Sequence, residues 1–591
     1  MLVYGDIETA QTVKAKQAAV AALLESVRTT PPGIARHGAL VTLFIEASEL
    51  VQGVIDAGFH DRGLDTLTLD QEAGMACLVR LAQEVDRSWQ SGFASALPPT
   101  EALSGLRAFD PDQIIRTRQA EGYAFYALYP ESYLEAARRS GLGPDTQVIG
   151  IRSIGTGLSA LVAAALGAPA PFTLRPVGHP FGRELRVDPA LTHRLTSGKS
   201  GAFAVVDEGP GLSGSSFGAV ADWLEEAGIP RERIHFFPSH GGPLGPQASA
   251  RHRERWRCAP RHLVPFEDLL LGPSGSERLA AWTAGLLGPL EAPLEELSGG
   301  AWRARAYADE AQWPPANTQQ ERRKFLARAG GADWLVRFAG LGESGARKLA
   351  MARKLHEAGF TPEAPALCHG FLVERWHDDA CRLDRAPVDR RHLVERVGAY
   401  LGFRARHFPA GEQQGASLQA LRHMAIYNTG QALGDEAAAA LTASLKDAEA
   451  LEAKVRRVWT DNRMHAWEWL VLDGHLLKTD ALDHSAAHDL VGCQDIAWDV
   501  AGAIVELDLS EEETSRLCAL VQQHSGHPVH LDLLRFLLPC YLAFQMGACH
   551  MAAGAVAEGN EAVRLRRAAE RYRHLLRRPG IRQEQEEAPA G

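Results

Sequence analysis

The spacing of apolar residues divides the chain into blocks of different character. Up to about residue 104, apolar residues recur every three or four positions, most regularly over 12–27, 39–57 and 68–89. This period predicts amphipathic helices, and Thr68 and Asp70 are the two candidate N-caps for the third of them. Because no chemical motif accompanies these helices, we predict only a helical N-terminal domain over 1–104.

Between about 105 and 275 the pattern changes to short apolar runs separated by helical segments. Residues 113–129 predict a helix. The predicted strands cover 146–151, 172–176, 203–206 and 234–237. Strands that alternate with helices indicate βα units around a parallel sheet, and ligands of such sheets bind at the carboxyl ends of the strands.

Two glycine-rich turns follow strands of this predicted sheet. The first is Arg-Ser-Ile-Gly-Thr-Gly at 152–157, and the second follows the acidic pair Asp207 and Glu208. Backbone N–H groups and hydroxyls at a helix N-terminus suit a phosphate group. Adjacent carboxylates can accept hydrogen bonds from vicinal sugar hydroxyls. A phosphate beside a diol describes a phosphorylated ribose.

This pair of turns resembles the phosphoribosyl-diphosphate (PRPP) motif of type I phosphoribosyltransferases, over about 106–275. The resemblance implies phosphoribosyl transfer from PRPP, with Asp207 and Glu208 as catalytic carboxylates on the ribose hydroxyls. It assigns the substrate phosphates to Arg152, Ser153, Gly155, Thr156, Gly157, Ser213, Gly214, Ser215 and Ser216. Two features depart from the family: the spacer 209–212 is one residue longer, and the second acid is Glu. The acceptor is not specified by these residues.

A third block begins near residue 296, after a predicted linker over 276–295. The apolar segments 324–329 and 334–339 flank Gly330–Asp333, which predicts a hairpin. A helix over 345–358, a connector and several long helices lead to a polar cluster at 461–499. The block is expected to end near 575, and the polar tail 576–591 is expected to be disordered.

The order of these parts resembles the aminoglycoside-phosphotransferase, or choline-kinase-like, branch of the kinase fold. The segment 494–501, Gln-Asp-Ile-Ala-Trp-Asp-Val-Ala, looks like the Gly-Asp-Pro…Asp-Leu-Ala segment of that family. The resemblance implies ATP- and Mg²⁺-dependent phosphorylation of a small molecule.

The catalytic loop of that family is matched by spacing at 463–471. In this register Arg463 stands where the family has its catalytic Asp, Glu468 replaces the metal-binding Asn, and Asp480 is the second metal ligand. Asp461, two residues upstream, is the candidate base. A second register, with Asp480 as the catalytic acid and Asp489 on the metal, stays open.

The candidate nucleotide-binding cations also depart from the pattern of that family. Lys324 and Arg337 are the candidates, although the strand that should carry the family's Lys carries Arg337. A degenerate, non-catalytic domain is therefore the alternative. The pair His484 and His488 has a spacing that zinc can use, which leaves a metal site as a further interpretation.

Composition narrows the classes of function. The net charge of −11 argues against nucleic-acid or anionic-membrane partners, and 46% hydrophobic with 23% charged residues is typical of a globular protein. Eight scattered cysteines without a CxxC pair fit a reducing cytoplasm. No secretion signal is visible, and the apolar segment 536–556 carries Gln545 and His550, so we expect a buried helix.

Together these patterns predict a multidomain α/β and α+β protein. The expected function is that of a cytoplasmic bifunctional enzyme that uses PRPP and ATP as co-substrates with Mg²⁺ and acts on small molecules. A homodimer is considered as its assembly. The alternative is a regulatory protein that binds PRPP and a nucleotide without turning them over.

Overall fold

The computed structural model describes residues 8–95, 100–198, 201–211, 213–245, 248–272, 278–486, 491–556 and 558–577. The N-terminal block is helical, as predicted, with a strand at each end. Its elements are β1 Glu8–Thr12, α1 Val13–Thr29, α2 Ile34–Arg62, α3 Leu69–Gln90, a 3-10 helix Thr100–Ala108 and β2 Ile114–Arg118. The hydroxyl of Thr68 caps α3 by accepting a hydrogen bond from the Gln71 N–H at 3.1 Å.

The helix predicted over 113–129 is wrong in its first half. Residues Ile114–Arg118 form a strand that pairs antiparallel with β1, with Glu8 opposite Arg118. Its side chains alternate between exposed and buried positions, which is the period of a strand. The helix that follows is confined to Glu121–Phe125.

The middle block contains the predicted parallel sheet. The strand order is β4-β3-β7-β8, and all three pairings are parallel. The elements of this block are α4 Glu121–Phe125, α5 Pro130–Arg139, β3 Gln147–Ile151, α6 Gly155–Leu166, β4 Phe172–Leu174, β5 Val177–His179, β6 Gly182–Glu184, α7 Pro189–Thr196, β7 Phe203–Val206, α8 Ser215–Glu226, β8 Ile234–Phe237 and α9 Ala250–Cys258. A 3-10 turn, Arg231–Arg233, precedes β8, and a π-helical turn, Glu267–Leu271, follows α9.

The stretch predicted as a linker contains a packed helix, α10 Arg278–Leu287. Leu279 and Trp282 of this helix are buried in the core that the N-terminal and middle blocks share. The segment therefore joins the second and third blocks through a common interior.

The third block begins with an antiparallel sheet of order β12-β13-β11-β10-β9. The predicted hairpin is present as β10 and β11, with Lys324 opposite Arg337. The elements of this half are β9 Glu295–Glu296, α11 Arg303–Ala306, a 3-10 turn Glu310–Gln312, β10 Lys324–Ala329, β11 Ala332–Phe338, α12 Gly342–Glu357, β12 Ala366–Cys368, β13 Phe371–Arg375 and β14 Cys381–Arg382.

The second half of this block is largely helical. A hairpin of β16 and β17 projects from it toward the sheet half and pairs with β14. Its elements are α13 Arg390–His407, α14 Leu418–Leu433, α15 Asp435–Ser444, α16 Ala448–Glu452, β15 Arg457–Val458, a 3-10 turn Ala466–Glu468, β16 Trp469–Leu472, β17 His475–Lys478, β18 Gln494–Asp495, α17 Ala497–Glu506, α18 Glu511–Ser525, α19 Leu531–Ala555 and α20 Asn560–Leu576. The predicted tail lies outside the described residues beyond Arg577.

One apolar core runs through the N-terminal block, the parallel sheet and the antiparallel sheet of the third block. It contains Phe44 of α2, Leu161 of α6 and Phe338 of β11. Among the described residues, two helices are long and apolar enough to cross a membrane, α2 and α19, but 78% and 72% of their most apolar windows are buried inside the protein. Both therefore pack as core helices here.

Candidate functional site

A cavity of about 1360 Å³, including the part open to solvent, lies in the third block between its antiparallel sheet and the β16–β17 hairpin. Three tryptophans, Trp302, Trp376 and Trp467, line it, and Leu335 and Leu470 give two further apolar surfaces. The charged residues of its lining include Lys324, Arg337, Arg463, Glu468, Asp480, Asp483 and His484. The residues predicted to hold metal and nucleotide are thus brought to one place.

The predicted metal ligands are neighbours in this cavity. One ligand atom each from Glu468, Asp480 and His484 lies within 4.8 Å of the others. Asp480 follows β17 with a φ of +52°, a conformation that Asp tolerates better than most residues. Burial would raise the pKa of Asp480, but His484, Lys324 and Arg337 outweigh it and hold that pKa well below its usual value. An ionised Asp480 beside Glu468 suits a hard divalent cation.

His484 bonds to one of these acids. Its Nε2 lies 3.2 Å from Asp480 Oδ2. The zinc interpretation also needs His488, and the second catalytic register needs Asp489. Both of these residues lie outside the described residues.

Glu468 is shared between two cations. Its Oε2 is 3.0 Å from Lys478 Nζ, and its Oε1 is 3.6 Å from Arg463 Nη1. A metal ion held by Glu468 would therefore share this carboxylate with a buried lysine. Arg463 lines the cavity at the position where the predicted register expects a catalytic Asp.

Asp461, the predicted base, lies behind the cavity wall. Its side chain has no exposed surface, and Oδ1 is 3.3 Å from Lys478 Nζ. Oδ1 also accepts a hydrogen bond from the Arg463 N–H at 3.2 Å, while the Tyr400 hydroxyl donates to Oδ2. Both oxygens of this carboxylate are therefore occupied by contacts with Tyr400, Lys478 and the loop backbone. The side chain does not line the cavity.

Asp499 anchors this loop, a role that sequence reasoning missed. Its two carboxylate oxygens accept hydrogen bonds from the backbone N–H groups of Asp461 and Asn462, each at 2.8 Å. Asn462 has a φ of +62°, so the backbone turns sharply where Asp499 grips it. The only sequence signal was the match of 494–501 to a family segment, which did not specify this contact.

Arg337 stands in a buried cluster of opposite charges. Its guanidinium donates to Glu374 and to Asp483, and Lys348 of α12 lies 2.5 Å from the other oxygen of Asp483. Burial lowers the pKa of Arg337, but Glu374 and Asp483 outweigh it and raise the pKa above its usual value. Its Nη2 is buried and has no hydrogen-bond partner among the described residues, and the side chain is part of the cavity lining.

Lys324 is the second predicted nucleotide-binding cation and lies on the neighbouring strand. Its Nζ is 3.2 Å from Glu321 Oε1, and the side chain is 15% exposed. The side chain is part of the cavity lining and keeps some exposed surface beside this contact.

The acidic pair of the middle block lies at the carboxyl end of β7, as predicted. Asp207 and Glu208 are half-buried, and burial raises the pKa of Asp207 to about 7. Burial, together with Glu121 and Asp207, raises the pKa of Glu208 to about 8. A Cβ atom added to Gly155 would lie 3.4 Å from Asp207 Oδ1. The start of α6 and the acidic pair therefore meet at one edge of the sheet.

Arg152 does not reach this edge. Its guanidinium is fully buried, donates to Thr173 O at 2.7 Å, and pairs with Asp65 and with Asp56 of the N-terminal block. These contacts hold the guanidinium away from the acidic pair and do not support the prediction that Arg152 binds a diphosphate. The sequence offered no signal for partners about 90 residues away.

The hydroxyls of the second turn are also engaged. Ser213 and Ser215 both donate to the carbonyl oxygen of Pro180, at 3.0 and 2.7 Å. Gly214 has a φ of +65° and precedes α8, while Ser216 is half-buried. The loop is thus tied to the β5–β6 hairpin through the two hydroxyls predicted to hold a phosphate.

The first turn is packed against the N-terminal block. Thr156 is fully buried in the first turn of α6, and a Cβ atom on Gly157 would lie 2.7 Å from Ser48 Oγ of α2. Ser153 precedes the helix on the exposed side, with a φ of +159°. Of the first-turn residues predicted for the substrate, Gly155 lies beside the acidic pair, whereas Thr156 and Gly157 face inward.

Comparisons with known proteins found no matching family model and no matching curated protein. Solved structures that are similar include a choline/ethanolamine kinase family protein from Mesorhizobium loti, with 14% identity over 52% of this chain and 96% of that chain and a TM-score of 0.33. Choline kinase LicA from Streptococcus pneumoniae has 12% identity over 43% and 89%, with a TM-score of 0.28. A spectinomycin phosphotransferase has 11% identity over 44% and 87%, with a TM-score of 0.31. Scores this low assign no activity to the chain.

Proposed function

We propose that the cavity of the third block binds a Mg²⁺–nucleoside triphosphate and transfers the terminal phosphoryl group to a small molecule. The observation that carries this proposal is the placement of two acids, Glu468 and Asp480, with two cations, Lys324 and Arg337, in the lining of one cavity. Phosphoryl transfer requires acids that hold the metal and cations that hold the phosphates.

Each of these residues has a distinct role. Asp480 and Glu468 hold the metal ion, which neutralises charge on the phosphate oxygens when it is bound. Lys324 and Arg337 bind the phosphates. Leu335 and Leu470 offer apolar surfaces for a flat base. Because the transition state is loose, positioning and charge contribute more than a strong base would.

The test uses a matched pair of aspartates in the same hairpin region. Asp480 and Asp473 both have positive φ, +52° and +49°, and Asn tolerates that conformation as well as Asp does. We expect D480N to lower Mg²⁺-dependent ATP binding by about 100-fold, which corresponds to about 3 kcal/mol. The control D473N, at the exposed turn between β16 and β17, should bind as the unmodified protein does. Equal ATP binding by D480N would refute the metal assignment.

A second candidate function is nucleotide binding without transfer. It is favoured by Arg463 at the expected place of the catalytic Asp and by the enclosure of Asp461. Calorimetric binding of Mg-ATP without ADP formation, over a broad panel of small-molecule acceptors, would support this regulatory function over the transferase.

We also propose that the edge of the parallel sheet at Asp207 and Glu208 binds PRPP for phosphoribosyl transfer. The support is the close approach of Asp207 to the start of α6 at Gly155. The engaged hydroxyls of Ser213 and Ser215 would have to release Pro180 first. Pyrophosphate release from PRPP and Mg²⁺ over a panel of bases tests the activity. A thermal shift with PRPP but without release would indicate a sensor, and neither effect would refute the site.

A further inference from the structure

A second cavity opens beside the first, with about 710 Å³ including the part open to solvent. Arg463, Trp467 and His484 line both cavities, so the two spaces meet at these side chains. We propose that this second cavity is the acceptor site and that it takes a flat, largely apolar alcohol that is neutral or anionic and not a cation. This inference rests on the proposed phosphotransferase function.

The walls of the second cavity are mainly apolar and aromatic. They come from α17, α19, α20 and the chain before β18, and include Val491, Trp498, Phe544, Ala552 and Leu565. All five are buried, which shows that the cavity reaches into the helical half of the block. The lining also carries the amide groups of Asn317, Gln320 and Gln545, and apolar walls with a limited set of polar groups are typical of small-molecule sites. They fit a flat ring better than a polyhydroxylated ligand.

Three buried polar atoms in this lining have no partner among the residues that the structure describes. They are Trp498 Nε1, His465 Nδ1 and Asn462 Oδ1, in side chains that are 1%, 5% and 6% exposed. A buried polar group without a partner costs about 1–3 kcal/mol. An alcohol, which both donates and accepts, has the chemistry to satisfy such an atom once the side chain turns it toward the cavity.

The charge of the lining excludes a cationic acceptor. Among the described lining residues there is no carboxylate, whereas Arg463, His465 and His484 are present. Glu506 lies close to His465, with its Oε1 3.8 Å from His465 Nε2. Glu506 does not line the cavity and already bonds to Tyr541, Tyr572 and Arg571. A buried cation without a counter-ion is strongly unfavourable.

The transfer step balances with the groups named. The acceptor oxygen forms the new bond to the terminal phosphorus, and the bond from that phosphorus to its bridging oxygen breaks. The nucleoside diphosphate leaves with that electron pair, and the hydroxyl proton passes to water. Arg463, at the junction of the two cavities, pairs with a carboxylate on an anionic acceptor.

The test compares three probes of one shape and different charge: benzyl alcohol, 4-(hydroxymethyl)benzoate and 4-(aminomethyl)benzyl alcohol. Binding is measured on the full chain by ligand-observed NMR or calorimetry without nucleotide, so that its outcome is independent of ATP binding. We expect the neutral and anionic probes to bind at least tenfold more tightly than the cationic one. A cationic probe that binds equally or better, or no binding by any probe, would overturn the proposal.

Two variants localise the effect. R463M should weaken the anionic probe about tenfold and leave the neutral probe unchanged. W498F keeps the aromatic packing and removes the Nε1 donor, so it should weaken all bound probes several-fold. If the anionic probe binds R463M as it binds the unmodified protein, it does not occupy this junction. Loss of ATP binding with retained probe binding would refute the kinase function but not the cavity.

Discussion

His37 Nε2 lies 2.6 Å from Glu131 Oε1, and the same oxygen is 3.1 Å from His369 Nε2. All three side chains are fully buried. They come from α2, from α5 and from the turn between β12 and β13. One carboxylate oxygen thus connects the N-terminal block, the middle block and the sheet of the third block.

Replacing this carboxylate should weaken the junction. We expect E131Q to lower the free energy of unfolding by about 1–3 kcal/mol, because the amide oxygen still accepts from the imidazoles but no longer carries the negative charge that strengthens both bonds. Thermal unfolding followed by circular dichroism measures the change. E25Q, at an exposed position of α1 whose ion pair with Arg28 spans 3.8 Å, is the control and should change little. An E131Q protein as stable as E25Q would contradict the role given to the junction.

The Arg337–Asp483–Lys348 cluster predicts an asymmetric response to mutation. D483N leaves two buried cations with less compensation and should cost about 3–5 kcal/mol. K348M should cost much less, because Asp483 keeps its bond to Arg337. Burial lowers the pKa of Lys348 to about 8 even though Asp483 opposes it, so its charge is already unfavourable. The melting temperatures of D483N and K348M measure the two losses in stability. Equal losses would contradict the prediction that removing Asp483 costs more than removing Lys348.

The two hydrogen bonds that Asp499 accepts from the loop backbone predict that a change at Asp499, outside the cavity lining, alters binding in the cavity. D499N replaces one acceptor oxygen by an N–H₂ group that faces the backbone N–H of Asp461 or Asn462. We expect a loss of about 1–3 kcal/mol in stability and weaker Mg-ATP binding. D508N is a suitable control, since Asp508 is exposed and has a φ of +48°. Unchanged nucleotide affinity in D499N would show that the loop does not position the cavity.

The raised pKa values of Asp207 and Glu208 predict how stability depends on pH. In the unfolded chain both acids ionise near pH 4, whereas in the folded protein they hold their protons up to about 7 and about 8. The folded state therefore binds more protons in this window, and stability falls as pH rises through it. The double variant D207N/E208Q lacks this loss. The melting temperature of the variant minus that of the unmodified protein should therefore increase as the pH is raised from 5 to 8. A difference that stays constant over this range would contradict the prediction.

Elements fixed by local pattern were predictable from the sequence. The helices around α2 and α3, the hairpin of β10 and β11 and the parallel sheet each follow from periodicity and turn residues within a short window. The meeting of the first glycine turn with Asp207 followed from the topology of such sheets, since neighbouring parallel strands end at the same edge.

Contacts between distant segments could not be predicted in this way. Strand β2 needs its partner β1, which lies more than 100 residues earlier, and its apolar residues also fit a helix. Arg152 has the residue type and position of an anion ligand, but its charge is neutralised by Asp56 and Asp65. Asp461 was likewise placed by spacing alone, while its enclosure depends on Tyr400 and Lys478. Spacing reports which residues share a loop and not which way each side chain faces.

The core that passes from Phe44 through Leu161 to Phe338 makes the three blocks depend on one another for folding. A gene fragment that carried only the third block would encode a sheet with one apolar face uncovered. We therefore expect the separated blocks to be aggregation-prone and poorly soluble. We therefore expect that the N-terminal helices, although they carry no chemical motif, keep the two candidate sites on one chain.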